Sequence, residues 1–129
     1  KMLTTPALKI LFYGEHEKLQ QLKMQITAAL PQPLPIHLTF SDDYYLEAMP
    51  NNISKGHSLK WLMNKLSLPL TNTMAFGDGF NDVEMFNTVA HPVVMSNASE
   101  KLQQLFPNAL RAQSNHVDGV AQFLYEHIL

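Results

Sequence analysis

The sequence has 129 residues, of which 46% are hydrophobic and 16% charged, and its formal net charge is −2. This composition is typical of one globular domain, and so small a net charge argues against nucleic acid or an anionic membrane surface as a partner. The absence of cysteine excludes disulfides and thiolate metal sites and is typical of a cytoplasmic protein.

The first part of the chain is predicted to combine a helix with antiparallel strands. Apolar alternation indicates a strand at residues 8–12, and an apolar stripe indicates a helix over residues 19–30, which prolines then end. Residues 36–40 and 44–48 alternate in the same way on either side of a polar turn at 41–43. This arrangement predicts an antiparallel hairpin with one face covered.

The second part alternates helices with short apolar strands. Strands are predicted at residues 73–76, 92–95 and 109–112, and helices around residues 59–66, 85–89, 102–106 and 120–128. We expect Asn97 to cap the third of these helices, because Glu100 follows it by three residues as in a capping box. Apolar strands between helices predict a parallel sheet covered on both faces.

The segment from Phe76 to Asp82 carries the strongest functional signal. It joins a predicted strand to a predicted helix, which is where open α/β sheets collect ligands. Asp78 can hold a hard cation such as Mg²⁺ through oxygen, and Asn81 can donate its amide to an anion. Asp82 can bind the metal, cap the helix or orient a neighbour. The glycines permit unusual backbone angles and close approach, and a plain turn is the alternative interpretation.

Lys55, in the tripeptide Ser-Lys-Gly at residues 54–56, is the second candidate site residue. It stands at the predicted start of a helix, where the helix dipole disfavours a cation. A phosphate group near the helix N-terminus would explain a lysine there. A solvated lysine is the simpler interpretation of Lys55 alone, and the segment around Asp78 reverses that preference.

Five short motifs together resemble the Cof-type branch of the haloacid dehalogenase superfamily. They are LEAMP (46–50), SKG (54–56), AFGDGFNDVEM (75–85), VMSNA (94–98) and DGVA (118–121). The resemblance covers residues 36–124 and extends more loosely from residue 8. It implies an α/β fold in which residues 1–50 end an inserted α+β cap. Residues 51–129 would then form the C-terminal half of a Rossmann-like hydrolase core.

The resemblance also implies an activity and a role for each candidate residue. Members are Mg²⁺-dependent phosphatases that hydrolyse phosphate monoesters of small metabolites, here of the sugar phosphate or pyridoxal phosphate type, through an aspartyl-phosphate. At the matching positions, Lys55 would steady the nucleophile and the phosphoryl group, and Asn81 would contact the phosphoryl group. Asp78 would bind Mg²⁺, and Asp82 would support the loop or add a second metal ligand.

One departure from the family pattern concerns the nucleophile. The family places its nucleophile and general acid in an N-terminal Asp-x-Asp, and no two aspartates of this sequence have that spacing. Because the chain also begins Lys1-Met2, we expect the C-terminal half of a phosphatase, inactive alone and completed by its missing N-terminal half. A tag remnant is the other explanation of that start. Two further alternatives are a non-catalytic binding or regulatory module and a phosphomutase of the same superfamily.

Overall fold

The computed structural model describes residues 7–129, which form two compact units divided between Ser54 and Lys55. The division lies close to the predicted boundary between residues 50 and 51. The first six residues of the predicted cap segment lie outside the described residues, and the assignment of the two parts to a cap and a core remains a prediction. No helix within residues 7–129 is long and apolar enough to cross a membrane.

The first unit is a three-stranded antiparallel sheet with one helix. In chain order its elements are β1 (Ile10–Tyr13), α1 (His16–Ala29), β2 (Ile36–Asp42) and β3 (Tyr45–Pro50). The sheet order is β1-β3-β2, so the predicted hairpin of β2 and β3 is confirmed. Strand β2 continues through Asp42, with a register shift after Phe40, so the connection is tighter than the predicted turn at 41–43. A bulge of this kind increases the local twist of the strand.

The core of the first unit forms where α1 covers one face of the sheet. Leu19 of α1 is buried against Leu38, Leu46 and Ala48, which lie on β2 and β3. Leu46 and Ala48 are two residues apart and therefore point to the same face of β3. The sequence alternation that predicted these strands thus marks the face that is covered.

The second unit alternates helices with parallel strands, as predicted. Its elements are α2 (Lys55–Lys65), β4 (Met74–Gly77), α3 (Val83–Phe86), β5 (His91–Met95), α4 (Glu100–Leu105), β6 (Leu110–Ala112) and α5 (Gly119–His127). The strands pair in parallel in the order β4-β5-β6. Their carboxyl ends therefore lie along one edge of the sheet.

Apolar side chains cover both faces of the central strand β5. Val94 packs in a cluster with Phe86 and Leu102, whereas its neighbour Val93 packs in a second cluster with Phe123. Successive strand residues point to opposite faces, so the two clusters lie on the two sides of the sheet. This confirms the predicted covering of both faces.

Two local predictions in the second unit are wrong. Ser99 caps α4, since its hydroxyl accepts a hydrogen bond from the backbone N–H of Leu102 at 3.4 Å. Asn97, the predicted cap, lies too far ahead of the helix and makes other contacts. Helix α3 ends at Phe86, so Val89 follows the helix and is buried outside it.

Candidate active site

The candidate site lies in the second unit, at the edge formed by the carboxyl ends of its strands. The loop after β4 carries Asp78, Asn81 and Asp82, and the start of α2 contributes Lys55. The loop after β5 carries Asn97. In open α/β sheets, ligands bind outside this edge.

Asp82 organises the loop that follows β4. Its carboxylate is buried, with 3% of the residue exposed, and both of its oxygens accept hydrogen bonds. Oδ2 accepts from the backbone N–H groups of Asp78 at 3.0 Å and Gly79 at 3.1 Å, while Oδ1 accepts from the Lys55 ammonium. From the sequence, Asp82 could bind the metal, cap the helix or orient a neighbour. These contacts favour the orientation of neighbouring groups over metal binding.

Lys55 is held at the site by the buried carboxylate of Asp82. Its side chain is 49% exposed, and the ammonium forms an ion pair with Asp82 Oδ1. The chain itself therefore supplies an anion for the lysine that begins α2. Because an ammonium has three donor hydrogens, this contact still leaves the group donors for a ligand.

Asp78 follows β4 directly and is exposed to solvent. The amide Nδ2 of Asn97 donates to its Oδ2 at 2.7 Å, and the other oxygen, Oδ1, takes no part in this contact. The Asn97 side chain also accepts, through its own Oδ1, a hydrogen bond from the backbone N–H of Asn115 at 3.2 Å. These contacts of Asn97 were not predicted from the sequence, although its place just after an apolar strand could have indicated them.

The glycines of the loop after β4 allow close approach between neighbouring groups. A Cβ on Gly77 would overlap the carboxyl group of Asp82, and one on Gly79 would lie 2.7 Å from Oδ1 of Asn81. From the sequence, the glycines of this loop could adopt unusual backbone angles. Within residues 7–129 no glycine has a positive φ, so their role here is to allow close approach. Asn81 is half-buried in the short turn Phe80–Asp82.

Gly56 brings the start of α2 against the loop. A Cβ at Gly56 would overlap the backbone carbonyl of Glu84 at the beginning of α3. Backbone atoms cannot move aside as a flexible side chain can, so α2 approaches α3 this closely only with glycine at position 56. This packing places the neighbouring Lys55 within reach of Asp82.

We expect Gly56→Ala to destabilise the protein by about 1–3 kcal/mol, the usual cost of overpacking. The measurement is the urea unfolding midpoint, followed by circular dichroism. Gly14→Ala is the matched control, because a Cβ there would meet the Leu19 side chain at an ordinary 3.8 Å. Equal midpoints for the two variants would show that the α2–α3 contact tolerates a methyl group.

The donor set fits Mg²⁺ with one carboxylate contributed by this chain. No cluster of three or more His, Cys, Asp or Glu side chains that could hold a metal ion occurs in the described part of the chain. Mg²⁺ is usually bound by one or two carboxylates and keeps water or phosphate oxygens as its other ligands. The exposed carboxylate of Asp78 meets that requirement, whereas the buried carboxylate of Asp82 already accepts three hydrogen bonds.

Comparisons with known proteins point to one family. A family model described as haloacid dehalogenase-like hydrolase matches residues 2–124. The HMP-PP phosphatase of Serratia proteamaculans (strain 568) is 41% identical over 116 residues, which are 90% of this chain and 42% of that protein.

Solved structures agree with the sequence match. A haloacid dehalogenase-like hydrolase from B. subtilis superimposes with a TM-score of 0.79 at 30% identity, over 95% of this chain and 41% of the other. A sugar phosphatase of haloacid dehalogenase subclass IIB shares the fold, with a TM-score of 0.74 at 16% identity, over 92% of this chain and 42% of the other. The predicted fold class is thereby confirmed. The chain spans less than half the length of the relatives it matches.

Proposed function

The chain belongs to the haloacid dehalogenase-like hydrolases of the Cof type, and we propose that it supplies the lysine and the metal ligand of a phosphatase active site. The observation that carries the proposal is the hydrogen-bonded array in which buried Asp82 joins Lys55 to the backbone of Asp78. The array supports the proposal because it connects the Lys55 ammonium to the backbone of the residue whose carboxylate would bind the cation, at the edge where open α/β sheets bind ligands.

The chemistry of phosphoryl transfer supports this use of the array. The reaction requires positioning and neutralisation of charge more than covalent participation by the protein. Lys55 would donate to phosphate oxygens with the hydrogens that Asp82 does not use, and Asn81 would donate from its amide. Mg²⁺, when bound at Asp78, would neutralise further phosphate charge.

We propose that the nucleophile is an aspartate outside these 129 residues, which forms the aspartyl-phosphate of the family mechanism. Neither Lys55 nor Asn81 replaces a carboxylate nucleophile, and Asp82 is buried and accepts hydrogen bonds on both of its oxygens. The N-terminal half of the protein would supply the missing group as part of the same active site. We also propose that residues 1–50 belong to a cap domain and residues 51–129 to the hydrolase core.

The proposed substrates are small phosphorylated metabolites in the cytoplasm. The Serratia relative is an HMP-PP phosphatase, which makes HMP-PP the first compound to assay. Sugar phosphates and pyridoxal phosphate are the other compounds that the Cof-type resemblance implies.

A substrate panel tests the proposal with the protein made from its complete coding sequence. We expect release of inorganic phosphate from p-nitrophenyl phosphate and from at least one of these metabolites, with Mg²⁺ present and not in excess chelator. Conversion of a sugar phosphate to its isomer without phosphate release would favour the mutase. Binding of a metabolite with no turnover would favour the non-catalytic module.

A further inference from the structure

One side chain outside the predicted site connects the loops that follow all three parallel strands. Asn97, after β5, donates to Asp78 after β4 at 2.7 Å and accepts from the backbone of Asn115 after β6 at 3.2 Å. The three strands are neighbours in the sheet, so the contact runs across its whole carboxyl edge. We propose that Asn97 is a positioning residue that fixes the orientation of the Asp78 carboxylate for the cation, an inference that rests on the proposed function.

The atoms used by Asn97 suit this role. Its amide donates to Oδ2 of Asp78, and the contact leaves the other carboxylate oxygen, Oδ1, to bind a cation. A lysine or arginine at this position would also hold Asp78, but its charge would compete with the cation. A neutral amide orients the carboxylate without cancelling its charge.

Asn97 is itself oriented by the backbone. An amide side chain can rotate to exchange its oxygen and nitrogen, and the N–H of Asn115 excludes the rotated form by donating to Oδ1. Both Asn97 and Asp78 are exposed, so a hydrogen bond between them contributes little to folding stability. The geometry of the contact therefore points to orientation of the ligand as its role.

Mg²⁺ affinity, measured by isothermal titration calorimetry on the complete protein without substrate, tests the proposal. Loss of a partner that orients a metal ligand typically lowers metal affinity about 10–100-fold, which is the effect expected for Asn97→Ala. The neighbouring Ser96→Ala is the matched control, and its affinity should equal that of the wild type. At saturating Mg²⁺, turnover by Asn97→Ala should recover, because the defect lies in binding the cation.

A second pair of variants tests the backbone donor. Asn115 is the first residue of a short 3₁₀ turn, and Ser114 before it has φ −59° and ψ 152°, which suits a residue that precedes proline. Asn115→Pro removes the N–H that holds Asn97 and should weaken Mg²⁺ binding. Asn115→Ala keeps that N–H and should not. This pair also decides the matter if Asn97→Ala fails to fold.

These measurements distinguish failure of the positioning role of Asn97 from failure of the proposed metal site. Wild-type Mg²⁺ affinity in Asn97→Ala, or equal affinities in Asn115→Pro and Asn115→Ala, would overturn the positioning role and leave the proposed function intact. A wild-type protein that binds no Mg²⁺ and needs none for turnover would overturn the metal site and the positioning role together.

Discussion

Replacing Asp78 by alanine should abolish Mg²⁺-dependent phosphate release by the complete protein. Removing one donor from an oxyanion hole lowers the rate about 10²–10³-fold. We expect kcat/KM of Asp78→Ala to fall further than that, because a metal ion neutralises more charge than one hydrogen bond does. The carboxylate is exposed and its side-chain partner Asn97 is exposed too, so the folding stability should change by less than about 0.5 kcal/mol.

The matched control for this variant is Glu100→Ala. Glu100 is also exposed and carries the same charge, but it lies at the start of α4 and not in the loop after β4. Its activity should equal that of the wild type over the same range of Mg²⁺ concentrations. Full activity of Asp78→Ala, or of the wild type in excess chelator, would show that Asp78 is not the ligand of an essential cation.

The second large effect is expected for Lys55→Ala. Removal of a preorganised cationic donor should lower kcat by ~10²–10³ if Lys55 contacts the transferred phosphoryl group. The structure also predicts a loss of folding stability in this variant, which the position of Lys55 at the start of a helix did not indicate. The buried carboxylate of Asp82 would lose its cationic partner, although its two backbone donors remain, so we expect destabilisation of about 1–3 kcal/mol.

Steady-state kinetics well below the unfolding temperature would separate the two effects of Lys55→Ala. Lys60→Ala is the control, because Lys60 lies on the same helix and is exposed. A reduced melting temperature with kcat within about twofold of wild type would assign Lys55 a purely structural role.

Local pattern predicted much of the fold. The alternation in residues 36–48 predicted the β2–β3 hairpin because one face of that sheet is covered by α1. Apolar runs predicted β4 and β5 because both faces of the parallel sheet are buried. The resemblance of residues 36–124 to Cof-type hydrolases implied the same fold, and the predicted strand over residues 73–76 already placed Asp78 at a strand end.

The contacts within the site could not be predicted from the sequence. Lys55 and Asp82 are 27 positions apart, and they meet because Gly56 lets α2 pack on the backbone of α3. Asn97 matched a capping box in local sequence, yet its partners Asp78 and Asn115 lie in the segments that follow the two neighbouring strands. Such contacts depend on strand order and helix packing, which local spacing does not specify.

A crystal structure of the complete protein with Mg²⁺ and a phosphate analogue bound would test the proposed site most directly. We expect a carboxylate oxygen of Asp78 about 2.0–2.1 Å from the cation, the usual Mg²⁺–oxygen distance. We also expect the Lys55 ammonium and the Asn81 amide within hydrogen-bonding distance of the analogue. A cation bound away from Asp78, with Lys55 contacting only Asp82, would contradict the claim that this edge of the sheet binds metal and phosphate.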